Sequence, residues 1–215
     1  MSENKVSYAG QVVVITGAAR GIGAATARLV AERGGQVFAL DIARDGLTSL
    51  QKELSLPDNQ VAVIDLGSQT SVKENIDAIY KITGRIDALT NTAGVVGPTN
   101  VKVEDVRWED FESTVRINLF GTVWLTQAVV PYMKKAKYGR IAHVASIAGK
   151  EGNPGMTPYN VSKSGMIGFV KGVAKEIAPD GITINSLAPA VIRTPMNGLW
   201  TLTLPPPAAQ AAPPM

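Results

Sequence analysis

Cysteine is missing altogether from the 215 residues, and histidine occurs once, as His143. Without thiols the chain can form no disulfide and no thiolate nucleophile, and it carries no mark of an oxidising or a reducing compartment. A lone histidine in mid-strand, with no acidic or cysteine neighbour in sequence, leaves no metal site in view, so its expected role is packing. No apolar run approaches the ~20 residues of a membrane-spanning helix. The opening MSENKVSYAGQVVVITG sets polar and acidic residues before a short apolar run that enters a glycine turn. That is unlike a secretory signal, and the expectation is a cytoplasmic protein with no membrane partner. Charge of one sign is scarce as well: 21 basic against 18 acidic residues leave a net +3. The densest basic run, Lys134, Lys135, Lys137 and Arg140, suits a solvated helix end, and no basic face with interleaved aromatics suggests nucleic acid.

What the chain does have is a repeating alternation. The 45% hydrophobic content is ordinary for one domain with a sizeable core. Short runs rich in valine and isoleucine, at residues 11–16, 36–41, 60–65, 86–91, 140–145 and 182–187, read as strands apolar on both faces. Longer stretches of helical period lie between them. From Ser71 to Thr83, for example, Val72, Ile76 and Ile79 form one stripe while Lys73, Glu74, Asp77 and Lys81 fall elsewhere. Strand followed by helix, repeated in this way, predicts a doubly wound α/β fold with a parallel sheet and right-handed crossovers, the Rossmann arrangement. The periodicity stops after Thr194. The expected organisation is a nucleotide-binding catalytic domain over residues 1–197 and an atypical, disordered tail over 198–215, where five prolines fall in the last eleven residues.

The first strand runs into TGAARGIGAATARLVAERGG, which places Gly17, Gly21 and Gly23 where strand turns into helix, with Arg20 and Ile22 beside them. Free N–H groups at the start of the following helix, with its positive dipole end, suit a pyrophosphate. Asp41, at the end of the second strand, lies about 20 residues beyond the glycines, where a carboxylate accepts hydrogen bonds from an adenosine ribose. Its charge would repel a 2′-phosphate and favours NAD. Arg20 and Arg44 pull toward NADP, the alternative, and Asp41 could instead cap the next helix. In TPYNVSKSGM, Tyr159 and Lys163 stand four apart, so a helix brings them together on one face. An ammonium beside a phenol lowers the phenol's pKa, which makes Tyr159 a candidate acid–base. Ser146 follows the fifth strand, at the carboxyl end of the sheet where ligands bind in this fold, and its alternative role is a turn cap.

Taken in order, TGAARGIG, NTAG, INLFG, VASIAG, YNVSK and PAVIRT resemble the short-chain dehydrogenases and reductases from Gln11 to about Asn197. The resemblance implies a nicotinamide-dependent hydride transfer on a small alcohol or carbonyl compound by Ser146, Tyr159 and Lys163, with Asn118 holding a relay water and Lys163 bound to the nicotinamide ribose. It further implies that Asp65 and Leu66 contact adenine, that Asn91, Ala93 and Gly94 line the adenine and ribose side, and that Pro189, Ile192 and Thr194 meet the nicotinamide. Thr92 replaces the family's usual second asparagine, and Ala190 stands where glycine is commonest. The segment Gly152 to Met156 is expected to form one wall of the substrate pocket. Sugars, polyols, keto acids and oxoacyl thioesters are the substrate classes suggested. A homo-oligomer through the helices carrying Asn118 and Tyr159 is also implied. After PAVIRT the chain departs from the family, whose members continue into a substrate lid and a seventh strand, so the expectation is a sheet lacking the last strand. An altered C-terminus of that kind opens a second reading, in which the chain is a nucleotide-holding remnant that turns over little or pairs with full-length subunits.

Overall fold

The computed structural model describes residues 6–192; Thr194 and the segment 198–215 lie outside them. Six strands form the sheet: β1 (Val12–Thr16), β2 (Gln36–Asp41), β3 (Val61–Val63), β4 (Ala88–Asn91), β5 (Gly139–Val144) and β6 (Ile182–Leu187). All neighbours run parallel, in the order β3-β2-β1-β4-β5-β6. The doubly wound fold expected from the alternation is the one observed, and the order reverses between β1 and β4, which opens a crevice at the carboxyl ends. β3 is shorter than the run 60–65: Gln60 closes a 3₁₀ turn (Asp58–Gln60), and only Val61 to Val63 pair with β2.

Helices α1 (Gly21–Glu32) and α2 (Arg44–Leu54) cover one face, where Ala24, Ala27, Val30, Leu47 and Leu50 pack on Val13, Ile15, Val37 and Ala39. The other face takes α3 (Gln69–Thr83), then α4 (Trp108–Val115) running through a π turn (Arg116–Phe120) into α5 (Gly121–Ala136). A short α6 (Ala148–Glu151) then leads to α7 (Thr157–Ile177), which packs on this same side. On α3 the stripe Val72, Ile76 and Ile79 is buried as expected. The helix begins two residues earlier than its apolar pattern, because the Ser68 hydroxyl accepts a hydrogen bond from the Ser71 N–H and caps the first turn.

Not every strand is apolar on both faces. In β1 all five residues are buried, but in β6 Ile182 and Ile184 face the core while Thr183 and Asn185 are exposed. Among the described residues, α1 and α2 overlie the β1–β2 half of their face and nothing overlies β6 there. The inward face has its own exception. Register aligns Thr16 with Asn91, Asn91 with His143, and His143 with Ser186, so a polar row crosses four strands beyond the apolar core. Among the described residues, no helix is long and apolar enough to cross a membrane.

Candidate active site

At the first strand–helix turn the backbone, more than any side chain, makes the site. Gly17 has φ +71 and Gly21 φ +55, left-handed values that cost a β-carbon strain. Gly23 is required for a different reason: a Cβ there would lie 2.1 Å from the Gly17 carbonyl oxygen. Helix α1 then starts with no side-chain cap and no acidic residue in its first turn, so its leading N–H groups and dipole are left to an anion. Arg20 is its exposed N-cap residue, and Ile22 lies in the first turn.

Asp41 is held firmly. One carboxylate oxygen accepts from the Ala19 N–H at 3.0 Å, and the other from the Ala43 N–H at 2.9 Å. It is not the N-cap of α2, which is Ala43; Asp41 ties the glycine loop to the end of β2 instead. Each oxygen keeps a lone pair for ribose hydroxyls. Asp65 likewise is no helix cap, since its Oδ1 accepts from Gly67 N at 2.7 Å in a local turn, and it is exposed at the rim with Arg44. A glycine cradle, an uncapped helix start and a fixed carboxylate fit a nicotinamide dinucleotide.

Other expected cofactor residues divide. Gly94 borders Asn118 and Lys163: a Cβ on it would lie 2.9 Å from Asn118 Oδ1 and 3.6 Å from Lys163 Nζ. Pro189 accepts the Ile147 N–H at 2.9 Å, which brings its segment over α6, and Ile192 is exposed beyond it. The side chains of Leu66 and Asn91, however, turn inward. Leu66 belongs to the apolar core, and Ala93 is packed against the same core. Asn91 is 1% exposed; its Oδ1 accepts from the Thr16 hydroxyl at 2.6 Å, and its Nδ2 donates to the Thr122 hydroxyl at 3.0 Å. Leu89 and Asn91 on β4 share the face that α5 covers, so the Asn91 amide is spent there.

Ser146, Tyr159 and Lys163 do converge. The Ser146 hydroxyl accepts from the Ala148 N–H at 3.2 Å, so it is a turn cap as well. Accepting leaves its own proton to donate toward the Tyr159 phenol, whose charged form it favours. Lys163 Nζ stands 5.6 Å from the Tyr159 ring centroid and donates to the Val144 carbonyl at 2.8 Å, anchoring the start of α7 to the end of β5. Burial pushes the Lys163 ammonium down to about 8. The Tyr159 phenol moves opposite to the expectation from its lysine: burial raises it, and the Ser146 hydrogen bond offsets only part of that rise.

The Asn118 side chain is committed within the protein. At 1% exposure its side chain clamps the loop after β4, with Oδ1 accepting from Val95 N at 2.8 Å and Nδ2 donating to Val95 O at 2.8 Å. Its second Nδ2 proton goes to Ser162 Oγ at 3.1 Å, so the amide has little capacity left for a water. The π turn puts Asn118 in this position, and π turns are common at functional sites. Sequence reasoning missed Ser162, which passes the chain on to the Tyr159 carbonyl at 2.8 Å, although it lies within YNVSK.

Comparison with known proteins agrees with this geometry. The short chain dehydrogenase profile matches residues 11–204. A 3-oxoacyl-(acyl-carrier-protein) reductase FabG from Thermotoga maritima is 41% identical over 190 residues, covering 87% of this chain and 76% of that protein. A 2-dehydro-3-deoxy-L-rhamnonate dehydrogenase (NAD(+)) from Sphingomonas sp. is 36% identical over 189 residues, covering 88% of this chain and 75% of that protein. Among solved structures, NAD+-bound xylitol dehydrogenase superposes with TM-score 0.78 at 32% identity, covering 86% of this chain and 72% of that one.

Proposed function

The chain belongs to the short-chain dehydrogenase family of oxidoreductases, and we propose that it moves a hydride between a nicotinamide dinucleotide and a CH–OH or keto carbon with Tyr159 as acid–base. The observation that carries this reading is the buried Lys163 ammonium 5.6 Å from the Tyr159 ring, with Ser146 acting on the same phenol. When bound, the dinucleotide supplies or takes the hydride. Ser146 donates a hydrogen bond to the substrate oxygen and holds it against the phenol. On reduction Tyr159 gives its proton to that oxygen as the C–H bond forms; on oxidation it takes the hydroxyl proton as the C–H bond breaks. Lys163, kept close to Tyr159 by the Val144 carbonyl, holds positive charge beside the phenol and is placed to hold the nicotinamide ribose. With its side chain committed to Val95 and Ser162, Asn118 serves the site by fixing its walls.

NAD is the preferred cofactor in this reading, with NADP the alternative. A 2′-phosphate would face the Asp41 carboxylate, which two backbone N–H groups fix in place, while Arg20 and Arg44 are exposed. The substrate classes that fit are keto sugar acids and polyols on one side and 3-oxoacyl thioesters on the other, since relatives of both descriptions match. The helices carrying Asn118 and Tyr159 are the proposed homo-oligomer contact, and exposed Trp108, Phe120 and Val161 on them support it.

The test is calorimetric titration with NADH and NADPH, followed by turnover of keto sugar acids and a 3-oxoacyl thioester. NADH is expected to bind more tightly. Tyr159→Phe is expected to cut kcat by about 10²–10⁴-fold and leave NADH affinity unchanged; a variant that still turns over at the original rate rules out the assigned acid–base.

A further inference from the structure

Asn118 clamps the loop after β4 by reading both backbone groups of one residue, and the loop after β5 carries the same device. Asn160, next to Tyr159 on α7, accepts the Asn153 N–H on its Oδ1 at 3.1 Å and donates from Nδ2 to the Asn153 carbonyl at 2.8 Å. One donor and one acceptor on the same residue admit a single orientation of the amide. The clamped residue lies in the connection between α6, which follows Ser146, and α7, which begins just before Tyr159. A substrate oxygen held between those two side chains therefore has this loop beside it.

The two loops are also joined to each other. Val101 N–H donates to the Gly155 carbonyl at 3.3 Å. Gly155 sits at φ +74, so near Asn100 that a Cβ would lie 2.9 Å from the Asn100 Cα, and Asn100 itself is left-handed at φ +58. Within the clamped loop, the Asn153 amide points at the Met156 sulfur at 3.8 Å. Residues 152–156 are thus held from three directions: by Asn160, by the neighbouring loop and by their own side chains.

Resting on the oxidoreductase reading, we infer that Asn160 is a positioning residue that locks residues 152–156 as a preformed substrate wall and so sets substrate affinity without entering the chemistry. Holding a loop in its bound shape lowers the ordering cost of binding, which acts on KM more than on kcat. Asn160→Ala removes both clamp bonds. Asn160→Asp keeps the acceptor for the Asn153 N–H and loses the donor, so its effect is intermediate.

Two measurements on the full chain test this. Hydrogen exchange read by mass spectrometry, without substrate, is expected to speed up across residues 152–156 in Asn160→Ala by about tenfold, the size that loss of hydrogen bonds each worth a modest net amount allows. Exchange through the rest of α7 stays as in the original chain. Steady-state kinetics with a keto sugar acid and a 3-oxoacyl thioester are expected to show KM raised about tenfold, with kcat and NADH affinity unchanged. Unchanged exchange in Asn160→Ala overturns the clamp, and so does a fall in kcat or NADH affinity with KM constant. If the original chain turns over neither substrate, the oxidoreductase reading is what fails, and the exchange measurement alone still decides the clamp.

Discussion

The strands β3, β2 and β1 and the strands β4, β5 and β6 share one sheet yet reach their ends by different means. On the first side the site is almost all backbone: glycine turns, the uncapped start of α1, and an Asp41 carboxylate held by two N–H groups. On the second side it is built from buried side chains, with Asn118, Ser162, Lys163 and His143 all under 5% exposed. Backbone recognition depends on shape and tolerates no added volume. Buried polar recognition depends on every donor finding its acceptor, and it fails when one partner is removed.

The sharpest way to break the first side is Gly23→Ala. Its Cβ would fall 2.1 Å from the Gly17 carbonyl, so the turn must open; NADH binding is expected to be lost in calorimetry, with roughly 1–3 kcal/mol of stability. Retained NADH affinity would sink the claim that this turn is the nucleotide cradle.

On the second side, Asn118→Ala leaves the Val95 N–H and C=O without their partners. Denaturant unfolding is expected to show a loss of about 3 kcal/mol, since three hydrogen bonds go, two to Val95 and one to the buried Ser162, at about 1 kcal/mol each. NADH binding should survive in the folded fraction. A loss below ~0.5 kcal/mol, the range of ordinary surface changes, would mean that the loop is held elsewhere.

The smallest effect is a pH dependence. Burial and the nearby Lys163 charge lower His143 to about 3 in the folded chain. Unfolded, it takes up a proton below its ordinary value near 6.5, so the unfolded state binds more protons between about 3 and 6.5. This contribution is fully present above pH 6.5 and is lost as pH falls, by about 2 kcal/mol between pH 7 and pH 5. Urea titrations at the two pH values, for the original chain and His143→Gln, isolate it; equal pH dependence in both assigns the loss to other groups.

Much of this was legible beforehand. All six strands and their parallel pairing followed from apolar runs separated by helical period, and Tyr159 and Lys163 lie together as their spacing of four implied. What could not be read was direction. Asn91 looks toward α5 because its register with Thr16 and His143 puts it on that face, a relation between strands up to 75 residues apart in the chain. Tyr159 rises instead of falling because burial outweighs the hydrogen bond from Ser146, and burial belongs to the assembled fold. Asn118 became a clamp because a π turn, which no apolar period announces, rotates it toward Val95.

The polar row across the sheet has one more consequence, for motion. Thr16 donates to Asn91, Asn91 to Thr122, and Thr122 to the Asn118 carbonyl. The Thr126 proton is committed to the Thr122 carbonyl, so its oxygen must receive the Nε2 proton of His143, and that single choice fixes the imidazole tautomer. Arrows from β1 and from β5 both end on α5. The helix is therefore keyed to the sheet like a bolt in a slot: it cannot rotate by a fraction of a turn without breaking bonds to two strands at once. Any rotation of α5 beneath Tyr159 and Lys163 would break both sets of bonds, whereas a shift of the loops above them would break neither.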